Sequence, residues 1–187
     1  NLGVNFKTIL HVVAANGFAD ALQLLLENPC IDDKLINHQI TAYFRGENYS
    51  AFVAAAKGNN ISVLKCLLHD PRVILDPNQL GFALGLCVRN LNNDMIYMLI
   101  DDERFYQSFD DCILILKRMF TTMVCFDREL ELASEICLGV CCDFSCSADE
   151  LMGNFTEILN EYSFTSLKKK LEKKIILSRS KAPLQSQ

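Results

Sequence analysis

The chain has 187 residues, 50% of them apolar, 22% charged and 9% aromatic, with a net charge of -5. This is enough for one large domain or two small ones. Eight Gly and four Pro exclude collagen-like, linker and low-complexity chains. No stretch approaches the ~18 uncharged apolar residues of a membrane helix, so the expectation is a soluble chain with no membrane span.

Nine Cys is an odd number, and most sit inside apolar runs rather than punctuating short loops as a secreted disulfide framework does. The chain opens on Asn1 rather than Met, with no basic-plus-apolar leader. Free thiols in a reducing cytoplasm are therefore expected, and flanking segments are expected to matter to function. The charge is uneven. Residues 1–93 carry seven basic and seven acidic groups, residues 94–167 four basic and fifteen acidic, and residues 168–187 seven basic and one acidic. An acidic body argues against nucleic-acid binding, because phosphate contacts need a positive footprint.

In chain order, the first pattern is Thr8-Ile9-Leu10-His11-Val12-Val13-Ala14-Ala15-Asn16-Gly17-Phe18, followed by Leu22, Leu25 and Leu26. It resembles an ankyrin repeat, whose hallmark is T-P-L-H-x-A-A-x-x-G-H and then V-x-x-L-L. A second copy is Val53-Ala54-Ala55-Ala56-Lys57-Gly58-Asn59 with Val63, Leu64, Leu67 and Leu68, preceded by a degenerate Tyr49-Ser50-Ala51-Phe52. A third is Gly85-Leu86-Cys87-Val88-Arg89-Asn90 with Met95, Ile96, Leu99 and Ile100, where Asn90 stands for the turn Gly. Gly58 and Asn90 are one ankyrin period apart. Gly17 and Gly58 are further apart, so extra residues fall in the Cys30 to Asn48 connection.

Elementary physics accounts for those residue types. Small Ala residues let helices approach closely, Gly supplies a left-handed turn, and the Leu pair buries against the next unit. Each unit ends alike, in Asn28-Pro29-Cys30-Ile31, Asp70-Pro71-Arg72-Val73 and Asp102-Glu103-Arg104-Phe105. Proline stops the helix, and the chain leaves into a loop or finger.

Beyond Phe105 the repeat fades but the helical period continues. Ser108 with Asp111 caps a run of Ile113, Leu116, Phe120 and Val124, and Asp127 precedes Leu130, Ala133, Ile136, Cys137, Val140 and Cys141. Ser147 with Glu150 forms a capping box before Leu151, Phe155, Ile158, Leu159 and Tyr162. Phe164, Leu167, Leu171 and Ile175 mark a lysine-rich last helix. The expected organisation is all-α: ankyrin repeats over 2–105 with an enlarged finger at 30–48, a helical extension or cap over 106–177, and a flexible tail over 178–187. A separate C-terminal helical domain is the competing arrangement.

Signals for catalysis are poor. His11, His38 and His69 are the only histidines, and the resemblance gives His11 a structural role, bonding backbone to tie neighbouring repeats. No phosphate loop, dinucleotide fingerprint, His-Glu-x-x-His or G-x-S-x-G is present. Cys137, Cys141, Cys142 and Cys146 could in principle gather on zinc, but their x₃ spacing is also that of a small apolar core face, and core packing is the expectation. Lys168 to Lys174 is read as a basic helix neutralising an acidic body rather than a nucleic-acid or membrane anchor.

What the resemblance leaves is a concave binding face of finger loops and first-helix ends. Its positions fall on Asn5 and Lys7, Arg45 and Asn48, and Asn78 and Leu80 for the fingers, and on Asn16, Lys57 and Arg89 before the turns. Lys7, Arg45, Lys57 and Arg89 would form an electropositive stripe that steers an acidic segment of a partner protein. Tyr43 and Phe44, with Tyr49, add aromatic anchors near the long connection. The expected function is non-catalytic protein binding, with no cofactor, metal or small-molecule substrate. The competing expectations are the targeting part of a larger effector enzyme, and a thiol or zinc site at Cys137 to Cys146. The degenerate, Asn- and Cys-rich style is similar to that of secreted effectors of intracellular bacteria, which would place the chain in a host cytosol.

Overall fold

The computed structural model describes residues 8–41, 48–122 and 127–153, together with positions 173 and 176. Among these residues the fold is all-α, apart from one two-residue antiparallel pairing. The helices are α1 (Ile9–Asn16), α2 (Ala19–Glu27), α3 (Asp33–Ile36), α4 (Ala51–Lys57), α5 (Ile61–His69), α6 (Pro77–Arg89), α7 (Asn93–Ile100), α8 (Phe109–Thr122), α9 (Asp127–Asp143) and α10 (Ala148–Gly153). Strands β1 (Ile40–Thr41) and β2 (Asn48–Tyr49) pair Ile40 with Tyr49 and Thr41 with Asn48. None of the described helices is long and apolar enough to cross a membrane.

Consecutive helices form hairpins that stack in two layers: α1, α4, α6 and α8 pack in series, and α2, α5 and α7 pack in series. Alanine makes the inner layer thin. Ala14, Ala51, Ala54, Ala55, Ala56 and Ala83 are all buried, so neighbouring helices meet close to their backbones. The outer helices bring Leu22, Leu64, Leu67, Met95 and Leu99 to the same core, which continues without a break to Leu151 through Leu116, Phe120, Ile136 and Val140.

The turns between paired helices share one backbone device. The N–H groups of Phe18, Asn60 and Asn92 donate to the carbonyls of Val13, Ala55 and Cys87 at 3.0–3.1 Å, closing the helix end. The residue just before each donor is left-handed: Gly17 (φ 78), Asn59 (φ 58) and Leu91 (φ 54). This corrects the expected register by one residue in the second and third units. Gly58 and Asn90 keep right-handed backbone (φ -77 and -82), and the turn falls one position later. Gly58 is there for closeness, since a Cβ on it would lie 2.5 Å from the Ala15 carbonyl oxygen. In left-handed backbone a Cβ crowds the following carbonyl at a cost of roughly 1–2 kcal/mol, which Asn offsets by local hydrogen bonding and Leu cannot. Leu91→Asn, copying what Asn59 does one unit earlier, is therefore expected to raise stability by ~0.5–1 kcal/mol, read as a higher thermal midpoint.

The third unit departs from expectation at its start. Asn78 and Leu80, expected on a finger loop, lie in the first turn of α6. Asp76 caps that helix by accepting from the Gln79 N–H at 2.9 Å, and Pro77 opens it. An Asp-Pro start fixes helical geometry where a hairpin would otherwise form. Leu80 is buried, and the extra turns reach back to the second unit, where the Ser50 hydroxyl donates to the Gln79 side-chain oxygen.

The extension also brings α6 against α8. A Cβ on Gly81 would lie 2.4 Å from the Ile115 carbonyl oxygen, and one on Gly85 2.6 Å from that of Met119. Two glycines one turn apart thus let α8 lie backbone to backbone on α6, in the more extensive of the helix contacts. The start signals of the second half are borne out: Ser108 Oγ accepts from the Asp111 N–H and donates to its carboxylate, and Ser147 Oγ accepts from the Glu150 N–H. The run from Phe155 to Tyr162, the last helix apart from Lys173 and Ile176, and the tail lie outside the described residues.

The repeated unit endings do more than stop helices. Arg72 forks onto the Asp70 carboxylate (3.0 and 2.7 Å) and donates back to the Leu26 and Ile31 carbonyls of the preceding unit. Arg104 repeats this 32 residues later, forking onto Asp102 (2.7 Å twice) and donating to the Leu68 and Val73 carbonyls. Each Asp-x-Arg is a latch that covers the open C-terminal carbonyls of the previous outer helix. Those hydrogen bonds hold the Asp70 and Asp102 carboxyls below their ordinary value. Asn37 ties the same edge, donating to the Arg72 carbonyl and accepting from the Ile74 N–H.

Candidate functional site

His11 organises the first seam. It is buried, and its Nε2 lies 3.1 Å from the Tyr49 carbonyl, which can only accept. Nε2–H is therefore the donor, and in the neutral ring Nδ1 accepts from the Thr8 hydroxyl at 2.8 Å. The imidazole joins the start of α1 to β2 of the next unit, and the rings of Tyr49 and His38 stand edge-on to it at about 6 Å.

Holding Tyr49 there shapes the surface. An open groove of about 330 Å³ runs along the α1–α4 seam, lined by His11, Val12, Ala15, Asn16, Tyr49, Ala54, Lys57 and Gly58. Its floor is small and apolar, so another backbone can come close. Its rim is polar: Lys57 Nζ stands 5.7 Å above the Tyr49 ring, and Asn16 folds back to donate to the Val12 carbonyl at 2.8 Å. A Lys over an aromatic face keeps its charge in solvent while its stem is held in place.

The structure thus brings together Asn16 and Lys57 with Tyr49. Arg89 is exposed at the end of α6, at the helical position that Lys57 holds 32 residues earlier, so two cations mark successive steps of the inner layer. Asn78 is exposed but belongs to the α6 extension. Leu80, in the core, offers nothing to a ligand. Asn5, Lys7, Tyr43, Phe44 and Arg45 lie outside the described residues, as does the side chain of Asn48, whose backbone forms part of β2.

Four of the described thiols are placed for packing, whereas Cys30 is exposed and Cys66 half-buried. Cys87, Cys112, Cys137 and Cys146 are buried, and burial pushes the Cys87, Cys112 and Cys137 thiols up to about 12. A thiol at that value is protonated near neutrality and is a poor nucleophile. Cys112 uses its hydrogen to donate to the Phe105 carbonyl at 3.1 Å. The side chains of Cys141 and Cys142 are outside the described residues. Among the described residues no three His, Cys, Asp or Glu side chains converge as a metal site would require.

Comparison of the chain with protein-family models, with curated proteins and with solved structures finds no match.

Proposed function

We propose that this chain is an ankyrin-type helical solenoid and a non-catalytic protein-binding module, which engages an acidic segment of a partner protein along its inner face. The observation that carries this reading is the repetition of a cation, Lys57 then Arg89, at the same helix position in adjacent units, the first of them on the rim of the groove whose wall is Tyr49. Helices in contact lie about 8–10 Å apart, so successive charges are spaced to meet carboxylates along an extended segment. The small floor of Ala15, Ala54 and Gly58 admits the partner's backbone, and Tyr49 supplies the aromatic contact that tends to dominate interface energetics. The described cysteines are free thiols, in keeping with a module acting in the cytoplasm.

The test uses a matched pair of proteins. The native chain and a Lys57→Glu, Arg89→Glu variant, matched for helical circular dichroism, are titrated with a labelled Asp/Glu-rich peptide at low and moderate salt and then used to capture partners from eukaryotic lysate. The expected result is at least tenfold weaker peptide binding by the variant, a salt dependence that the variant loses, and loss of the same captured proteins. Both side chains are exposed, but each ends a helix, where Glu meets the negative end of the dipole, so a stability loss of about 1–2 kcal/mol is expected with the fold retained. Equal binding by the two proteins would remove the inner face as the site.

A further inference from the structure

The outer layer carries a second surface, built twice. Between the C-terminal ends of α2 and α5 lies a groove of about 640 Å³ lined by Leu26, Cys66, His69 and Pro71, with Gln23, Ser62, Lys65 and Asp70 around it. Between the ends of α5 and α7 lies a groove of about 810 Å³ lined by Leu68, Met98, Asp101 and Glu103, with His69, Pro71, Asp102 and Arg104. The linings correspond position by position: Leu26 with Leu68, and Cys66, His69, Asp70 and Pro71 with Met98, Asp101, Asp102 and Glu103. His69 and Pro71 line both, so the two cells are neighbours along one edge. His69 is held there by a 2.7 Å hydrogen bond from Nδ1 to the Lys65 carbonyl.

The floors are alike and the charges are not. Leu26, Cys66, Leu68 and Met98 are all half-buried, leaving an apolar strip exposed at the bottom of each cell. In the first cell the nearby exposed charge is Lys65. In the second, Asp101 and Glu103 are exposed and make no ion pair among the described residues, whereas Asp102 is committed to Arg104. The first cell suits an uncharged apolar side chain. The second suits a long basic one, its stem on Met98 and its head at Asp101 and Glu103.

Spacing selects the backbone. Cells one unit apart are separated by about 8–10 Å, the distance between packed helices. A polyproline II segment places every third side chain on one face, at ~9.3 Å, whereas a β-strand puts positions i and i+3 on opposite faces. We infer that this outer edge is a second interaction surface, which takes a polyproline II segment of a partner protein with an apolar side chain and, three residues on, an arginine or lysine. It is separate from the inner face and would stand if the inner face bound nothing.

The full chain is titrated, up to millimolar peptide and by fluorescence anisotropy, with labelled peptides containing Leu-Pro-Pro-Arg, Leu-Pro-Pro-Glu and the shortened Leu-Pro-Arg. The arginine peptide of correct spacing is expected to bind at least tenfold tighter than the other two. In an Asp101→Lys, Glu103→Lys variant, which changes only exposed side chains, the preference should pass to Leu-Pro-Pro-Glu. The Lys57→Glu, Arg89→Glu variant should bind like the native chain. Equal affinity for the three peptides, or binding indifferent to the Asp101 and Glu103 reversal, would overturn the proposal. So would zero-length carbodiimide cross-links from Lys168–Lys174 to Asp101 or Glu103 in the unliganded chain, which would give the groove to the chain's own basic segment.

Discussion

Replacing both Gly81 and Gly85 by alanine is expected to destabilise the protein by about 2–4 kcal/mol, although alanine is the better helix former. In an exposed helix each change would stabilise by up to about 1 kcal/mol, because glycine loses more backbone entropy on folding. Here each new methyl would sit 2.4–2.6 Å from a carbonyl oxygen of α8, and the other near atoms are Cβ atoms of Arg118 and Thr122, fixed to the backbone. The helices must therefore separate, and overpacking of this kind costs about 1–3 kcal/mol per site. Separation would also loosen Leu84, Ile115, Leu116 and Met119, all buried at or beside this contact. Gly153→Ala is the control, because among the described residues a Cβ there meets nothing within 4 Å and stability should stay level or rise slightly. Guanidinium unfolding of the three proteins decides it. A double variant as stable as the native chain would mean that α8 does not lie directly on α6.

The second large effect concerns the latch. Arg104→Ala removes four hydrogen bonds, two to Asp102 and two to carbonyls of the preceding unit. It leaves a carboxylate only 14% exposed without its partner. Hydrogen bonds to charged groups contribute about 1.5–3 kcal/mol, less where solvent reaches them, so a loss of about 1–2 kcal/mol is expected. Arg104→Lys should recover less than half, because an ammonium cannot fork onto a carboxylate while also reaching two carbonyls. Arg72→Ala should act in the same direction and to a similar extent, since Arg72 is the more exposed arginine but the carboxylate it leaves is the more buried of the two.

The latch also sets a pH dependence. Arg104 and Arg72 hold Asp102 and Asp70 below the ordinary carboxyl value of 3.8. A carboxyl whose folded value is depressed contributes its full stability above the unfolded value and loses it as the pH falls through the folded one. Urea midpoints should therefore be insensitive to this pair above about pH 5 and should fall between about pH 4 and 2. In Arg104→Ala that acid-side slope should flatten in part, because the guanidinium is lost from Asp102 while the backbone N–H of residue 104 still donates to its carboxylate. A slope unchanged by the substitution would assign the acid sensitivity to other carboxyls.

Much of this architecture was legible locally. The apolar period of Leu10, Val13 and Ala14 fixes the buried side of α1, Ser108 with Asp111 starts α8, and Ser147 with Glu150 starts α10, because period and caps act between residues three or four apart. His11 was legible too, through the resemblance of Thr8 to Gly17 to an ankyrin hallmark. Part of the candidate site followed: Asn16, Lys57 and Arg89 are on exposed helix ends, and Tyr49 stands beside Lys57. Two further signals lie in the sequence. Asp76-Pro77 is a helix start and displaces the expected finger at Asn78 and Leu80, and Gly81-x-x-x-Gly85 is the spacing of a close helix contact.

By itself, then, the sequence determined the helical hairpins, their approximate ends and the faces they bury, since each follows from side chains within one or two turns. Tertiary structure alone decided the rest. That Gly58, Gly81 and Gly85 lie against carbonyls of neighbouring units, that Arg72 and Arg104 reach Leu26 and Leu68, and that two grooves open side by side on the outer layer all depend on atoms from units more than 30 residues apart. Their geometry exists only once one hairpin has stacked on the next, when a carbonyl, a carboxylate or a missing Cβ acquires a neighbour that no local pattern encodes.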